Sequence, residues 1–403
     1  MKKALPRSTS LIAHPYVAPA GFATVQPAVY KASTVIFANC AALRGRNWKE
    51  KTGYTYGLHG TPTTFQLEER IATLEGGLHT LLVPSGLAAI TLVDLALLES
   101  GDDVLLPDNA YGPGKEFARH ELARWGVTLR SYDPMDPPSL SAAMTSKSRL
   151  VWLEAPGSVT MEFPDLEALI AIARRGSATI ALDNTWGAGL AFDAFAIGEE
   201  GRTVGADVVV QALTKYPSGG ADVLMGSVTT RDQALHQRLK ATHMRTGFGI
   251  GGNDAELVLR SLPSLPLRYE AQDRAGRALA LWWAERPEVA QVLHPALPGS
   301  PGHAHWERLC SQAAGLFSVV FDARYEAARV HAFVDALKLF KIGYSWAGPT
   351  SLVVPYELAA IRARPAWPGT LVRFSLGLEA VGDLIEDCRQ ALDALSGRAG
   401  EAA

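Results

Sequence analysis

Short apolar runs and helical patterns alternate through the middle of the chain, from residue 61 to about residue 260. The short runs are rich in Val, Leu and Ile and lie at residues 80–83, 103–106, 127–133, 150–154, 179–182, 207–211 and 224–229. Apolar positions recur with helical spacing in several intervals, at residues 62–75, 86–99, 115–125 and 164–175. Strands separated by such helices form parallel βαβ units. The pattern therefore predicts a large α/β domain with a mostly parallel sheet covered on both faces.

The two ends of the chain have different patterns. Residues 1–60 show little periodicity and many turn-forming residues, which predicts an extended arm. Ordering such an arm alone costs conformational entropy, so we expect it to pack on a neighbouring subunit. Residues 261–403 carry long helical patterns at 271–286, 325–338 and 380–394, with strands at 316–321 and 371–376. We therefore predict an arm (1–60), a large domain (61–260) and a smaller C-terminal α+β domain (261–403).

Composition excludes several classes of function. The 403 residues carry a formal net charge of −3, which gives no reason to expect a nucleic acid or an anionic membrane as partner. The cysteines Cys40, Cys310 and Cys388 lie far apart, and neither they nor the histidines have metal-ligand spacing. The basic start is followed by no apolar signal region, and the most apolar stretch contains Asp94 and is too short to span a bilayer. We expect a cytoplasmic protein without a metal.

A lysine and an aspartate follow two of the predicted strands. Lys215 comes four residues after the run 207–211, and Asp183 comes directly after the run 179–182. Ligands of such sheets bind beyond the carboxyl ends of the strands. Pyridoxal phosphate (PLP) needs a lysine for its covalent link and an acid that keeps its ring nitrogen protonated. Alone, the lysine is more often solvated and the aspartate more often caps a turn; together they predict a PLP site.

Other residues could complete such a site. Gly86 and Leu87 lie between a strand and a helix start, where backbone N–H groups bind phosphate, although a plain turn and helix cap is the commoner meaning. Thr214 could add a hydroxyl. Tyr111 follows the strand 103–106 and either stacks on a flat ring or packs in its loop. Arg373 interrupts an apolar strand and needs a carboxylate, which is either internal or the α-carboxylate of an amino acid.

Several motifs, in chain order, resemble those of the PLP-dependent enzymes of cysteine and methionine metabolism. They include Tyr54-Thr-Tyr-Gly57, Leu74-Glu-Gly-Gly77, Asp183-Asn-Thr-Trp186, Tyr344-Ser-Trp346 and Gly377-Leu-Glu379. The resemblance covers residues from about 15 to 395 and implies the aspartate-aminotransferase type of α/β fold (PLP fold type I). It also implies a homotetramer of paired catalytic dimers that share their active sites. The motifs are most similar to the branch that performs β-elimination on cystathionine, releasing homocysteine, pyruvate and ammonia.

The resemblance implies a role for each candidate residue. Lys215 would form the Schiff base with PLP and then remove the Cα proton, while Asp183 would pair with the pyridinium nitrogen. Tyr111 would stack on the ring, and either it or Lys215 would assist the leaving thiolate. The phosphate would be held by Gly86, Leu87 and Thr214, and by Tyr56 of a neighbouring subunit. The substrate carboxylate would be oriented by Ser345 and Arg373, with Trp346 close by.

The chain departs from the family pattern near Tyr56. Leu58 stands where the family usually has a phosphate-binding arginine, a loss that weakens cofactor binding unless His59 or another cation compensates. His59 also stands where the β-eliminating branch has an arginine, facing the far end of the substrate. Glu116 is positioned by the resemblance to meet the distal ammonium of cystathionine. Cystathionine γ-lyase, γ-synthase, cystine or cysteine-conjugate lyase activities, and a non-catalytic binding role, therefore stay open.

Overall fold

The structure is a computed structural model that describes residues 6–13, 20–21, 24–198, 204–362 and 366–396. Its strands are β1 (His79–Val83), β2 (Asp103–Pro107), β3 (Thr128–Tyr132), β4 (Ser148–Glu154), β5 (Thr179–Asp183), β6 (Val208–Gln211), β7 (Gly226–Thr230), β8 (Val289–Leu293), β9 (Leu316–Phe321), β10 (Lys341–Ile342), β11 (Leu352–Tyr356) and β12 (Leu371–Ser375).

The α-helices of the described residues are α1 (Arg7–Ile12), α2 (Cys40–Arg44), α3 (Pro62–Glu75), α4 (Gly86–Leu97), α5 (Gly112–Phe117), α6 (Pro137–Ala143), α7 (Leu166–Arg175), α8 (Gln233–Thr246), α9 (Gly252–Ser261), α10 (Leu265–Ala284), α11 (His303–Leu309), α12 (Ala327–Asp335), α13 (Leu358–Ile361) and α14 (Val381–Ser396). A π-helical turn (Ala118–Leu122) follows α5. Within the described part of the chain, no helix has the length and apolarity needed to cross a membrane.

The larger sheet has the strand order β1-β7-β6-β5-β4-β2-β3. Strands β2 to β6 run parallel, which confirms the predicted mostly parallel α/β fold. Strand β7 runs antiparallel to both β6 and β1, so the sheet is mostly and not wholly parallel. Side chains alternate between two buried layers: Val209 enters one, and Val208 and Val210 enter the other.

Local signals explain why the helices before and after β1 begin where they do. Thr61 caps α3, exchanging hydrogen bonds with Thr64, and Pro62 supplies a helix-compatible φ at the first position. Gly76 ends that helix in the left-handed region, with φ of 79°. Ser85 caps α4 by accepting a hydrogen bond from the backbone of Ala88. These signals place α3 at the predicted residues 62–75 and α4 directly after β1.

The smaller sheet has the order β10-β11-β12-β9-β8 and packs on α10, α12 and α14 through its own apolar cluster. Strands β9 and β12 lie where the pattern predicts them, whereas β8, β10 and β11 were missed. Strand β11 contains Pro355, a residue that argues against a strand in a sequence because it cannot donate to the ladder. The proposed division at residue 260 falls in the last turn of α9.

The predicted N-terminal arm divides into two parts. Helix α1 packs within its own chain, where Leu11 is 1% exposed. Val25 and Ile36, farther along, are 91% and 92% exposed. Residues 1–5, 14–19 and 22–23 of the arm lie outside the described residues. The expectation that residues 1–60 pack on a neighbouring subunit stays a prediction, and the intrachain packing of α1 does not follow it.

Candidate active site

Lys215 and Asp183 lie at the carboxyl ends of adjacent parallel strands. Asp183 is the last residue of β5 and lies beside Val210 of β6, and Lys215 follows β6 in the next turn. The hydroxyl of Thr185 accepts a hydrogen bond from the backbone of Ala212 at 2.9 Å, which ties the two strand ends together. Burial and the charge of Arg373 lower the pKa of the Lys215 amine, and the nearby charge of Asp183 raises it by a smaller amount.

The amine of Lys215 lies between the two sheets of the molecule. Its Nζ donates a hydrogen bond to the Ser345 hydroxyl at 2.6 Å and stands 5.3 Å from the ring centroid of Trp346. Burial, followed by the charge of Arg373, lowers the pKa of Lys215 to about 8. A fraction of the amine is therefore neutral near physiological pH, as a general base requires.

Asp183 shares its surroundings with a second carboxyl group, Glu154, which sequence reasoning missed as a site residue. Asp183 Oδ1 accepts hydrogen bonds from the backbone N–H of Thr185 at 2.9 Å and from its hydroxyl at 2.5 Å. Glu154 ends the neighbouring strand β4 directly beside Asp183. Burial raises the pKa of both carboxyl groups, and the charge of Asp183 adds to the shift at Glu154. The available signal was that Glu154 closes a predicted strand next to β5.

Tyr111 is held at the same edge by Glu154, whose Oε2 accepts a hydrogen bond from the Tyr111 backbone at 2.8 Å. The tyrosine precedes α5 and is 41% exposed. Burial, followed by the charges of Asp183 and Glu154, raises the pKa of its phenol. The phenol is therefore neutral at physiological pH and can donate a proton.

The start of α4 provides backbone donors at this edge of the sheet. The N–H groups of Gly86 and Leu87 make no hydrogen bond to the described residues. A Cβ at Gly86 would lie 2.5 Å from the Cβ of Ala212, so only glycine fits there. Thr214 donates its hydroxyl to the carbonyl of Met225 at 3.2 Å and accepts from the same residue's N–H at 3.0 Å. Its predicted role at a phosphate requires that hydroxyl to turn.

Arg373 faces Lys215 from strand β12 and is 7% exposed. No carboxylate among the residues that the structure describes forms an ion pair with it; its Nη2 lies 3.4 Å from the carbonyl of Ser345. An internal partner for Arg373, one of the expected alternatives, is therefore not found in that part of the chain. Burial lowers the pKa of the guanidinium, and nearby tyrosines oppose the effect only in part.

Tyr356 is a second residue that sequence reasoning missed. It ends β11, and the guanidinium carbon of Arg373 lies 5.2 Å from the centroid of its ring. The sequence offered no clear signal for it, because the preceding Pro355 hides the strand that carries it. Ser345 and Trp346, which were predicted, lie against Lys215.

Tyr56 and Leu58 do not join this cluster within one chain. Both line a separate cavity of about 650 Å³, whose other walls come from residues 30–33 and 249–254. His59 bonds to the hydroxyl of Thr55 through Nδ1 at 2.6 Å. Burial, followed by nearby cations that include Lys240, lowers the pKa of His59. Its imidazole is therefore neutral at physiological pH, and it does not replace the missing arginine charge within its own chain.

Glu116 makes none of the contacts described for this cluster. It is exposed on α5 and forms ion pairs with Arg119 and His120 one turn farther along. A distal ammonium of a substrate would have to compete with these neighbours. The predicted contact between Glu116 and substrate stays a prediction.

The clustered groups match the chemical needs of PLP. The free N–H groups at the start of a helix suit its phosphate, and the amine of Lys215 suits its aldehyde. The Oδ2 atom of Asp183 makes no hydrogen bond with the described residues and is available to a ring nitrogen. Tyr111 offers a flat ring beside these groups. The residues present therefore fit this cofactor.

Comparison with known proteins agrees with this chemistry. The family model described as Cys/Met metabolism PLP-dependent enzyme matches residues 8–393. The cystathionine beta-lyase of Bordetella avium is 38% identical over 385 residues, 94% of this chain and 94% of that protein. The cystathionine beta-lyase MetC of Escherichia coli is 35% identical over 371 residues, 90% of this chain and 92% of that protein.

Solved structures show the same fold. The crystal structure of cystathionine gamma synthase from Xanthomonas oryzae pv. oryzae, in complex with aminoacrylate and cysteine, superposes with a TM-score of 0.88. Its sequence is 28% identical, and the match covers 98% of this chain and 100% of that chain.

Proposed function

The chain belongs to the Cys/Met metabolism PLP-dependent enzymes, and from that premise we propose that it is a carbon–sulfur β-lyase acting on cystathionine or a related cysteine S-conjugate. Its cofactor is PLP. With cystathionine the products are homocysteine, pyruvate and ammonia. The observation that carries the proposal is the convergence of the Lys215 amine, the Asp183 carboxylate and the Arg373 guanidinium in one pocket.

Lys215 is assigned the proton transfer at the substrate Cα. When bound, PLP supplies an aldehyde that links to the substrate amine and a protonated ring that withdraws electrons from Cα. The Ser345 hydroxyl, 2.6 Å from Nζ, holds the lysine amine while it is free of the cofactor. Since its pKa is lowered to about 8, the amine can take up the Cα proton near neutral pH.

Asp183 and Tyr111 are assigned supporting steps. Asp183 would hold the proton of the cofactor ring nitrogen, and the two hydrogen bonds from Thr185 keep its carboxylate oriented. Tyr111 would stack on the ring. Because its pKa is raised, Tyr111 keeps a proton that it, or the protonated Lys215, can pass to the departing sulfur.

Arg373 is assigned the substrate α-carboxylate. It is the buried cation of the pocket that lacks an ion pair among the described residues, and a carboxylate is the group whose geometry matches a guanidinium. Binding there places Cα between Arg373 and Lys215. Trp346 borders the same pocket beside the lysine.

A product assay tests the proposal. Purified enzyme supplied with PLP and cystathionine should release pyruvate rather than 2-oxobutyrate, and Lys215→Ala should abolish the release. Borohydride should trap the cofactor on the peptide that contains Lys215. A label on another peptide, or on none, would contradict the assignment.

A second candidate is a γ-carbon reaction on the same scaffold. The structural similarity to cystathionine gamma synthase favours this alternative. Formation of 2-oxobutyrate from cystathionine would support γ-cleavage, and formation of cystathionine from cysteine and an activated homoserine would support synthesis. Pyruvate from cystine or other S-conjugates, at rates above that from cystathionine, would instead support a broader cysteine-conjugate lyase.

We further propose a cytoplasmic homotetramer of two catalytic dimers with shared active sites. Support comes from Tyr56, which lines a cavity separate from Lys215, and from the exposed apolar residues of the arm. Light scattering should give the mass of four chains. If sites are shared, mixing Tyr56→Ala with Lys215→Ala chains should restore activity, because some sites then combine intact residues. Absence of complementation would contradict sharing.

A further inference from the structure

Arg373 is a buried cation whose surroundings hold aromatic rings in place of carboxylates. It is 7% exposed, and Tyr356, Tyr111 and Tyr344 are the groups that oppose the effect of burial on its pKa. A buried guanidinium without an anion is unfavourable. The groups that hold it between substrate molecules therefore decide whether the pocket is ready for a carboxylate.

Tyr356 reaches Arg373 because of the register of the small sheet. In the antiparallel pair β11–β12, Arg373 lies opposite Val354 and Tyr356 lies opposite Leu371. Since Tyr356 is two residues beyond Val354, it points to the same face as Arg373 and is its diagonal neighbour. At that position aromatic and long side chains reach each other.

The contact between the two side chains has two components. The guanidinium carbon lies 5.2 Å from the ring centroid of Tyr356, within the range of a cation–π interaction. The Tyr356 hydroxyl also lies near the guanidinium, whose positive charge lowers the pKa of this phenol against the larger, opposite effect of burial. The ring and the hydroxyl can therefore be separated by substitution.

Tyr356 also borders the space that the substrate would occupy. It lies near the phenol of Tyr111, whose pKa an ionised Tyr356 would raise, and Tyr111 is the residue assigned to stack on the cofactor. On the outer side, its ring lies 6.5 Å from that of Tyr344, which is 80% exposed. Tyr356 thus lies between the predicted cofactor face and the mouth of the pocket, beside Arg373.

We propose that Tyr356 is a specificity-determining residue that keeps the Arg373 guanidinium in place to receive the α-carboxylate. The inference rests on the proposed function. Through this contact the enzyme selects amino acids with a free carboxylate over their amides. The aromatic face balances the cation when the pocket is empty, and it leaves the N–H groups free for the incoming anion.

The test uses holoenzyme with Tyr356→Leu and Tyr356→Phe, and 3-(methylthio)propionate and its amide as ligands. Both ligands lack an amine, so they bind without reacting with the cofactor. For the acid, binding should weaken about tenfold in the leucine variant and about threefold in the phenylalanine variant, which keeps the ring. Binding of the amide should not change. Thermal shift and competitive inhibition report both constants.

Kinetics with S-methylcysteine complete the test. The KM should rise in parallel with the inhibition constant of the acid, while kcat stays within about twofold, because Lys215 and not Arg373 performs the proton transfer. Tyr325→Phe, at a partly buried tyrosine of the smaller domain outside the pocket, serves as the matched control and should leave every constant unchanged.

The inference fails if Tyr356→Leu binds acid and amide as the unchanged protein does, or if it weakens both equally. It also fails if only kcat falls. Wild-type enzyme that binds the acid but releases no pyruvate from any cysteine conjugate would instead overturn the lyase proposal, and the binding result would stand by itself.

Discussion

Arg362 and Arg373 are equally buried cations in the C-terminal part of the chain, and their surroundings are opposite. They are 6% and 7% exposed. Arg362 donates to Asp108 at 2.6 Å and 3.2 Å and to both oxygens of Glu162 at 2.9 Å. Arg373 forms no ion pair with any carboxylate of the described residues.

The pKa values of Arg362 and Arg373 shift in opposite directions, as their surroundings predict. Burial by itself lowers the pKa of both guanidinium groups. At Arg362 the hydrogen bonds to Asp108 and the charge of Glu162 more than offset burial, so its pKa is raised. At Arg373 only tyrosines oppose burial, and its pKa is lowered. A buried cation with internal carboxylates is part of the fold, whereas one without them is prepared for an external anion.

One of the residues bound to Arg362 also links it to the active site. Asp108 belongs to the loop after β2, three residues before Tyr111. Lys115 donates to the carbonyl of Asp108 at 2.6 Å and to the carbonyl of Ile361 at 2.9 Å. Together these bonds fasten the segment of α13 and Arg362 to the loop that carries Tyr111.

The strongest test of the contrast is Arg362→Leu. Removing this cation leaves Asp108 and Glu162 without their partner, so we expect a loss of about 3–5 kcal/mol in the free energy of unfolding. Urea unfolding followed by circular dichroism measures it. Arg362→Lys keeps the charge but not the paired hydrogen bonds and should lose less. If the leucine variant is as stable as the unchanged protein, Arg362 does not stabilise the fold, and the proposed difference between Arg362 and Arg373 is wrong.

Arg373→Leu should produce the reverse result. Without the guanidinium, kcat/KM should fall by about 100- to 1000-fold, since a buried hydrogen-bonded charge pair with the substrate is lost. The free energy of unfolding should stay level or rise, because an uncompensated buried charge has been removed. Steady-state kinetics and urea unfolding of the same preparation check both parts. A variant that is unstable yet fully active would contradict the assignment of Arg373 to substrate.

Lys215, which is partly buried, extends the comparison to a third cation in the cofactor-free protein. Its pKa in the folded state is about 8, below the usual value of an unfolded lysine. Between these values the unfolded chain binds more protons, so stability rises with pH through that window. We expect about 1–2 kcal/mol more stability at pH 10 than at pH 8 from this group. Urea unfolding at both pH values should show this increment in the unchanged protein and not in Lys215→Met.

The smallest effect is expected at an exposed ion pair. Glu116→Gln removes the partner of Arg119 and His120, and such surface pairs contribute less than about 1 kcal/mol. If Glu116 meets the distal ammonium of cystathionine, the KM for cystathionine should rise by about threefold at most, since the carboxylate is exposed and screened. The KM for S-methylcysteine, which has no distal ammonium, should stay constant. Equal changes for both substrates would rule out that contact.

Much of the larger sheet and its site could be predicted because the signals are local. Runs of valine and leucine mark the strands, and a residue directly after a parallel strand must lie at the carboxyl edge. This places Asp183 and Lys215 near each other without any knowledge of packing. The glycine at position 86 follows from similar reasoning about a helix start.

The contacts between the two sheets could not be predicted in this way. The bond from Lys215 to Ser345 joins residues 130 positions apart, and the bonds from Arg362 to Asp108 join residues 254 positions apart. Position in sequence does not reveal which of two buried arginines will meet carboxylates. In the sequence Arg373 interrupts an apolar strand, whereas Arg362 lies in no predicted element.

By itself, the sequence determined which chemical groups the predicted elements carry. They are an amine and an acid at one sheet edge, a helix start suited to phosphate, and a guanidinium in a later strand. These follow from periodicity and turn chemistry, which act over a few residues. Only the tertiary structure decided that Tyr356 lies against Arg373, that Glu154 supports Tyr111, and that Arg362 is satisfied internally. The physical reason is that burial and charge pairing depend on which distant side chains come into contact, and that is settled only when the strands pair and the parts of the chain pack together.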